Sequence, residues 1–275
     1  MKNNIWFITG ASKGLGLELA KVLVASGAKV AVTSRSKRAL VEALGDKVLA
    51  LEVDLLNEAS VQAAIKATID RFGGLDVVVN NAGYGQLGTI EELSDAEARM
   101  NFDVNVFGTL NVLRAALPHL RERRSGHIFN IGSIGGFVGN FPGWGIYCAT
   151  KFAVAAVSEA LQAELQEHGV NVTAVYPGYF RTEFLSRGSL GLPARPIAAY
   201  TKAHAIREQH LKEINGNQPG DPKKLAKALV DVAEQRDPPL HLFLGKDAYA
   251  MAEQKLASMR QTLESNRTTS VSTDI

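Results

Sequence analysis

Apolar residues fall into two kinds of run along the chain, and the two kinds alternate. Short unbroken stretches rich in β-branched and aromatic residues, of which Ile5-Trp6-Phe7-Ile8-Thr9 is the first, predict strands buried on both faces. Longer stretches lie between them with apolar positions at helical spacing, and Leu15, Leu19, Val22 and Leu23 share one face of the first. Further strands are predicted at Lys29–Thr33, Val48–Val53, Asp76–Asn80, 126–132, 170–176 and 240–244. Continuous apolar strands separated by helices predict an α/β fold. Its expected form is one domain built on a doubly wound parallel sheet of about seven strands with helices on both faces.

Three segments depart from this rhythm. Ser94-Asp95-Ala96-Glu97 has the pattern of a capping box and predicts a helix start. Residues 183–220 carry Gly188, Gly191, Pro193, Pro196, Gly216, Pro219 and Gly220 between a strand and a helix, and are expected to form a substrate lid. Residues 265–275 have almost nothing to bury and are expected to be a mobile tail to a domain spanning 1–264.

Composition narrows the function classes. With 275 residues, 46% of them hydrophobic, the chain is expected to build a large core. Thirty basic against twenty-eight acidic residues leave a net charge of +2, which gives no reason to expect a nucleic-acid partner. The single cysteine, Cys148, excludes an intramolecular disulfide and is expected to be structural; the six histidines show no metal spacing, so no metal is expected. No apolar run reaches the roughly 20 residues of a membrane helix. Met1-Lys2-Asn3-Asn4 leads directly into the first strand, so no secretory leader is expected and the protein is placed in the cytoplasm. Without a secretory route, the acceptor patterns at Asn171 and Asn266 carry no meaning.

The first predicted strand runs into Thr9-Gly10-Ala11-Ser12-Lys13-Gly14-Leu15-Gly16, and a helix begins there. Glycines at Gly10, Gly14 and Gly16 let backbone turn tightly and approach a ligand, and free amides at a helix N-terminus bind a pyrophosphate. Dinucleotide folds that choose NAD place an acidic residue at the end of the second strand. Here that place holds Ser34 and Arg35. Arginine grips a 2′-phosphate that a carboxylate would repel, and Lys13 offers a second cation, so NADP(H) is favoured over NAD(H).

Further along come Asn80-Asn81-Ala82-Gly83, Asn105, Ser133, Tyr147-Cys148-Ala149-Thr150-Lys151 and Pro177-Gly178. With T-G-x-x-x-G-x-G at 9–16, these motifs fall in one order over about residues 5–182, and the sequence resembles the short-chain dehydrogenase/reductase family. The resemblance implies a Rossmann-like oxidoreductase that moves a hydride between a nicotinamide dinucleotide and a carbonyl/alcohol pair. It implies that Tyr147 is the acid/base and that Lys151 tunes Tyr147 and binds the nicotinamide ribose. Ser133 would hold the substrate oxygen, and Asn105 would complete a proton relay through water to Lys151. Tyr147 and Lys151 are four apart, so on a helix they share a face, and an ammonium there favours the phenolate over a phenol of pKa about 10. The resemblance also gives cofactor contacts to Ser12, Leu15, Asp54, Leu55, Asn81, Ala82, Gly83, Pro177, Gly178, Phe180 and Thr182.

Two departures stand out. Ser133 and Tyr147 are 14 apart, one more than usual, with the extra residue expected in the loop Asn140–Gly143 beside the substrate. The last strand is followed by Lys246-Asp247-Ala248 and a helical run in place of the Gly-Gly end of many tetrameric members; Asp247 is expected to cap that helix. A homodimer through the helices holding Asn105 and Tyr147, or a monomer, is as well supported as a tetramer.

The expected pocket wall is apolar, with Phe137, Val138, Phe141, Trp144, Tyr179, Phe180 and Phe184, and nothing resembles a clamp for a carboxylate or phosphate. The sequence therefore reads as an NADPH-dependent reductase of hydrophobic ketones or aldehydes. Two alternatives stay open: an NAD-dependent dehydrogenase of secondary alcohols, and a non-catalytic dinucleotide sensor on the same fold.

Overall fold

The computed structural model describes residues 4–186 and 188–275. The expectation built on Met1–Asn3, and the part of the lid at Arg187, lie outside the described residues. Among the described residues nine strands form: β1 Ile5–Ile8, β2 Lys29–Ser34, β3 Leu49–Glu52, β4 Val77–Asn80, β5 Gly85–Gln86, β6 Gly126–Ile131, β7 Val170–Pro177, β8 Leu190–Gly191 and β9 His241–Leu244. Ten α-helices accompany them: α1 Gly14–Ala25, α2 Lys37–Leu44, α3 Glu58–Phe72, α4 Asp95–Phe102, α5 Gly108–Arg123, α6 Gly145–Leu165, α7 Thr201–Gln209, α8 Pro222–Ala233, α9 Lys246–Ser265 and α10 Arg267–Val271.

Seven strands make one parallel sheet in the order β3-β2-β1-β4-β6-β7-β9. The alternation within the apolar runs explains why both faces are covered. Trp6, Ile8, Val30, Val32, Val77 and Val79 pack with Leu19 and Leu23 of α1 and Leu225 and Leu229 of α8. The residues between them, Phe7, Ala31 and Val78, join Val61 and Ile65 of α3, Val112 and Leu120 of α5 and Leu161 of α6 on the other face. Each such side chain, fully removed from water, stabilises the fold by about 1.5–3 kcal/mol. Strand order reverses between β1 and β4, which opens a crevice at their carboxyl ends, the place where such sheets bind ligands.

The chain also makes a small parallel sheet that the sequence pattern did not predict: β5 pairs with β8 through Gly85–Leu190 and Gln86–Gly191. Two residues per strand are too few to show a period. This pairing draws the start of the 183–220 segment over the crevice. A group of carboxylates holds the segment further on. Glu97 completes the expected capping box with Ser94 and also accepts from Ala194 N at 3.0 Å. Glu92, with a side chain only 1% exposed, accepts from His204 Nε2 at 2.5 Å, Ile197 N at 2.8 Å and Thr89 N at 2.9 Å.

Burial on its own would raise the Glu92 pKa, but its hydrogen bonds from His204, Thr89 and Ile197 prevail and hold it at about 2. A carboxylate with a depressed folded pKa stabilises the fold above its ordinary pKa, and that stabilisation fades as pH falls towards 2. Glu92→Gln is therefore expected to cost about 2 kcal/mol at neutral pH. That lowers the melting temperature by roughly 5 °C. Thermal melts down through pH 4 check the sign: the gap between native and variant protein narrows as acid is added.

At the chain end, α9 continues into α10, and every residue of 265–275 is exposed. The segment expected to be a mobile tail is helical to Val271, although it buries nothing. Among the described residues no helix is long and apolar enough to cross a membrane.

Candidate active site

The loops after β1 and β4 are sewn together, which explains why the glycine motif and Asn80–Gly83 belong to one site. Thr9 Oγ1 accepts from the backbone N–H groups of both Asn81 and Ala82 at 3.0 Å. Asn81 Nδ2 donates to Thr9 O at 2.8 Å and Gly10 O at 3.1 Å. Gly10 has φ +67°, and a methyl on it would come within 2.8 Å of Ala82 Cα. A methyl on Gly16 would meet Asn81 Nδ2 at 2.5 Å. Only glycine fits either place. Helix α1 then starts with no side-chain cap, which leaves its first amides free.

These loops form one end of a cavity of about 1340 Å³. Its far edge is Ser34, Arg35, Asp54 and Leu55, and its floor passes Ser12, Gly14, Leu15 and Asn81–Gly83 to Ser133, Tyr147 and Lys151. Pro177–Phe180, Thr182 and Phe184 form the opposite wall. Of the residues singled out from the sequence as site residues, only Gly16, Asn105, Phe137 and Val138 do not line it. Gly16 is consumed in packing against the Asn81 loop.

Phe137 is a correction to the expected substrate wall. Its ring lies 5.0 Å from Phe243 and 6.0 Å from Tyr176, under the start of α9. Val138 packs in the same cluster, with Ala248 and Ala252. The short 3₁₀ turn Ile134–Gly136 sends both side chains away from the cavity and into the core. Phe141, Trp144 and Phe184 do face it.

Helix α6 places Tyr147 and Lys151 in its first two turns, both buried. Lys151 Nζ lies 5.8 Å from the Tyr147 ring centroid and donates to Ile131 O at 2.8 Å. Burial brings the Lys151 pKa down to about 8. Burial also pushes the Tyr147 phenol above its ordinary pKa, while a hydrogen bond with Ser133 pulls it the other way. The resemblance had the lysine lowering this pKa; in the structure, loss of water is the largest influence on it and Ser133, not Lys151, is the group that lowers it. Ser133 Oγ in turn accepts from Gly135 N at 3.0 Å. Cys148 is buried and its thiol is pushed up to about 11 by that burial, in keeping with a structural residue.

Asn105 sits in a π-turn, Asp103–Phe107, between α4 and α5. Such turns recur at functional sites because they redirect one side chain. Its Oδ1 accepts from Tyr84 N at 3.0 Å, and its Nδ2 donates to Tyr84 O at 3.1 Å and Thr150 Oγ1 at 3.0 Å. The amide thus clamps the chain after Gly83 to α6. It makes no direct bond to Lys151, although a methyl on Gly83 would lie 3.0 Å from Asn105 Oδ1 and 3.5 Å from Lys151 Nζ.

Lys13 lines the cavity as well. Its Nζ donates to Gly188 O at 3.2 Å, tying the glycine loop to the lid segment. Arg35 has no ion-pair partner among the described residues and lines the cavity edge as a free cation. Tyr84, Leu185, Leu190, His210 and Gln218 line the cavity as well and had no signal in the sequence pattern.

A family model described as short chain dehydrogenase matches residues 4–189. The chain belongs to the short-chain dehydrogenase family. It is 36% identical over 245 residues to a 3-ketodihydrosphingosine reductase of Bacteroides thetaiotaomicron, covering 89% of each chain. A solved short-chain dehydrogenase from Streptomyces avermitilis shares 36% identity, with a TM-score of 0.88 over 98% of this chain and 99% of that one. A 3-ketoacyl-(acyl-carrier-protein) reductase from Brucella melitensis, solved in complex with NADH, shares 28% identity. Its TM-score is 0.73, over 87% of this chain and 95% of that one.

Within this short-chain dehydrogenase the C-terminal departure has a clear role. Asp247 does not cap α9, whose preceding residue Gly245 supplies no side chain. Its Oδ2 accepts from Tyr179 N at 2.6 Å, and a methyl on Gly178 would fall 2.3 Å from it. The first turn of α9 therefore fixes the Pro177–Tyr179 wall from behind. The loop at Asn140–Gly143, with its extra residue, brings Phe141 to the cavity as expected.

Proposed function

We propose that this short-chain dehydrogenase is an NADPH-dependent reductase of hydrophobic ketones or aldehydes, with Tyr147 as the general acid. The observation that carries the reading is the placement of Tyr147: a buried phenol at the cavity floor, hydrogen-bonded to Ser133 and with Lys151 Nζ 5.8 Å from its ring centroid. A phenol held there beside a second hydroxyl can give its proton to a nascent alkoxide, which is the need of reduction.

The chain's own residues fit a nicotinamide dinucleotide. Gly10, Gly14 and the free amides of α1 form a cradle closed to any Cβ at Gly10. Asp54, Leu55 and Asn81–Gly83 would hold the adenosine half, and Pro177, Gly178, Phe180, Thr182 and Lys151 the nicotinamide half. When bound, that cofactor supplies the hydride. Ser133 and Tyr147 then hold the substrate oxygen from two sides, and Tyr147 passes it the proton. Asn105 is a positioning residue that fixes Tyr84 and α6 around them.

Arg35, unpaired at the far edge, supports a 2′-phosphate and so NADP(H). One observation favours the NAD reading: Glu52, in register with Ser34, lines the same edge, and its carboxylate accepts from Lys37 N at 3.1 Å. The test of the whole proposal is consumption of NADPH by the protein in the presence of apolar ketones and aldehydes.

A further inference from the structure

The cavity is apolar around Tyr147 but not at its lid end. Trp144 packs on Tyr147 with ring centroids 5.4 Å apart and on His210 at 5.2 Å, so His210 sits one aromatic ring beyond the acid. His210 is 5% exposed and lines the cavity. Its Nδ1 lies 2.8 Å from Ile206 O, which only accepts, so Nδ1 carries the proton. Burial lowers the His210 pKa, so the ring is neutral and Nε2 is a bare acceptor. The Tyr179 hydroxyl, 2.9 Å away, therefore donates to Nε2. The lone pairs of Tyr179 Oη remain to accept another bond.

Gln218 supplies the complementary group. It is 2% exposed and lines the same cavity. Its Oε1 is fixed by Gly216 N at 2.9 Å, which settles which end of the amide is oxygen. Its Nε2 donates to no group among the described residues. The two segments are joined: Gly220 N donates to Tyr179 O at 2.9 Å and Arg181 Nε to Gln218 O at 3.1 Å. The indole N–H of Trp144 is a buried donor without an acceptor among the described residues. Buried polar groups are normally paired, and such exceptions in a ligand cavity point to what the ligand brings.

We infer that Gln218 and Tyr179 form a second polar anchor, and that the substrate is an apolar carbonyl compound carrying a hydroxyl group at a distance from the carbonyl. A hydroxyl both accepts, from Gln218 Nε2, and donates, to Tyr179 Oη. The inference rests on the reductase reading of the same cavity. A plain ketone leaves the Gln218 donor without an acceptor, and that penalty is worth about tenfold or more in specificity.

The test compares kcat/KM with NADPH for two matched series, 2-alkanones of stepped chain length and the same ketones bearing a terminal hydroxyl. At one chain length the hydroxyketone is expected to be preferred about tenfold. Gln218→Leu removes the anchor. Gln218→Met keeps the length of the side chain and removes the donor without opening a large void, so it reports the anchor even if the leucine variant folds poorly. Both variants are expected to bring the ratio between the two substrates to near one. A structural role alone would lower both substrates together and leave the ratio intact. Plain ketones consumed with no hydroxyl preference at any length overturn the anchor and leave the reductase reading standing, as does a preference that survives both variants. No NADPH consumption with either series overturns the reductase reading and the anchor with it.

Discussion

Tyr147→Phe is expected to cut turnover about 10³-fold while leaving NADPH binding in place. The substitution removes one hydroxyl and nothing else. The ring keeps its contacts with Trp144 at 5.4 Å and Phe184 at 5.7 Å, so the pocket keeps its shape. What is lost is the proton donor and the Ser133 hydrogen bond. General acid catalysis contributes about 10²–10⁴-fold, so a fall of about 10³-fold in kcat is expected. Cofactor affinity, read by nicotinamide fluorescence, is expected to stay within about twofold, because the glycine loop and Arg35 are untouched. A sensor protein would show no turnover to lose, and retained turnover in the variant would remove Tyr147 from the chemistry.

The second large effect falls on Arg35→Ala. Arg35 lines the cavity edge at the end of β2 and makes no ion pair among the described residues. Its replacement removes charge-assisted hydrogen bonds to a 2′-phosphate, worth about 1.5–3 kcal/mol. That is roughly a 10–100-fold loss of NADPH affinity. NADH affinity is expected to change by less than about twofold, since nothing in NADH reaches for the guanidinium. The loss for NADPH should also shrink as salt is raised, because Arg35 is exposed. Equal losses for both cofactors would mean that Arg35 acts through loop structure instead.

The large features of the fold were legible because they have sequence periods. All seven strands of the main sheet lie within a residue or two of their apolar runs, and the capping box at Ser94 forms as its spacing implied. The glycine loop and the 80–83 motif were legible as chemistry, because only certain residues fit there. Other features have no periodic signature. The β5–β8 pairing is two residues long, and the carboxylate latch on the lid joins Glu92 to His204 across 112 residues of sequence. Asn105 was named for its motif, but the π-turn that spends its amide on Tyr84 and Thr150 leaves no mark in the sequence.

The misread residues share one cause. Phe137 is an aromatic residue next to a motif serine, and composition cannot say that a 3₁₀ turn sends it into the core beside Phe243. Asp247 reads as a helix cap by position, yet the wall at Gly178 lies close enough to take its carboxylate. In each case a long-range neighbour decided where a side chain with a good local explanation went.

The most direct measurement follows nicotinamide absorbance while the purified protein and NADPH are challenged with a set of apolar ketones and aldehydes, with Tyr147→Phe run alongside. The account predicts carbonyl-dependent consumption of NADPH by the native protein, little or none by the variant, and slower consumption with NADH. If NADPH binds but no carbonyl compound consumes it, or if the variant is as fast as the native protein, the assignment of Tyr147 as the acid of an NADPH-dependent reductase is wrong.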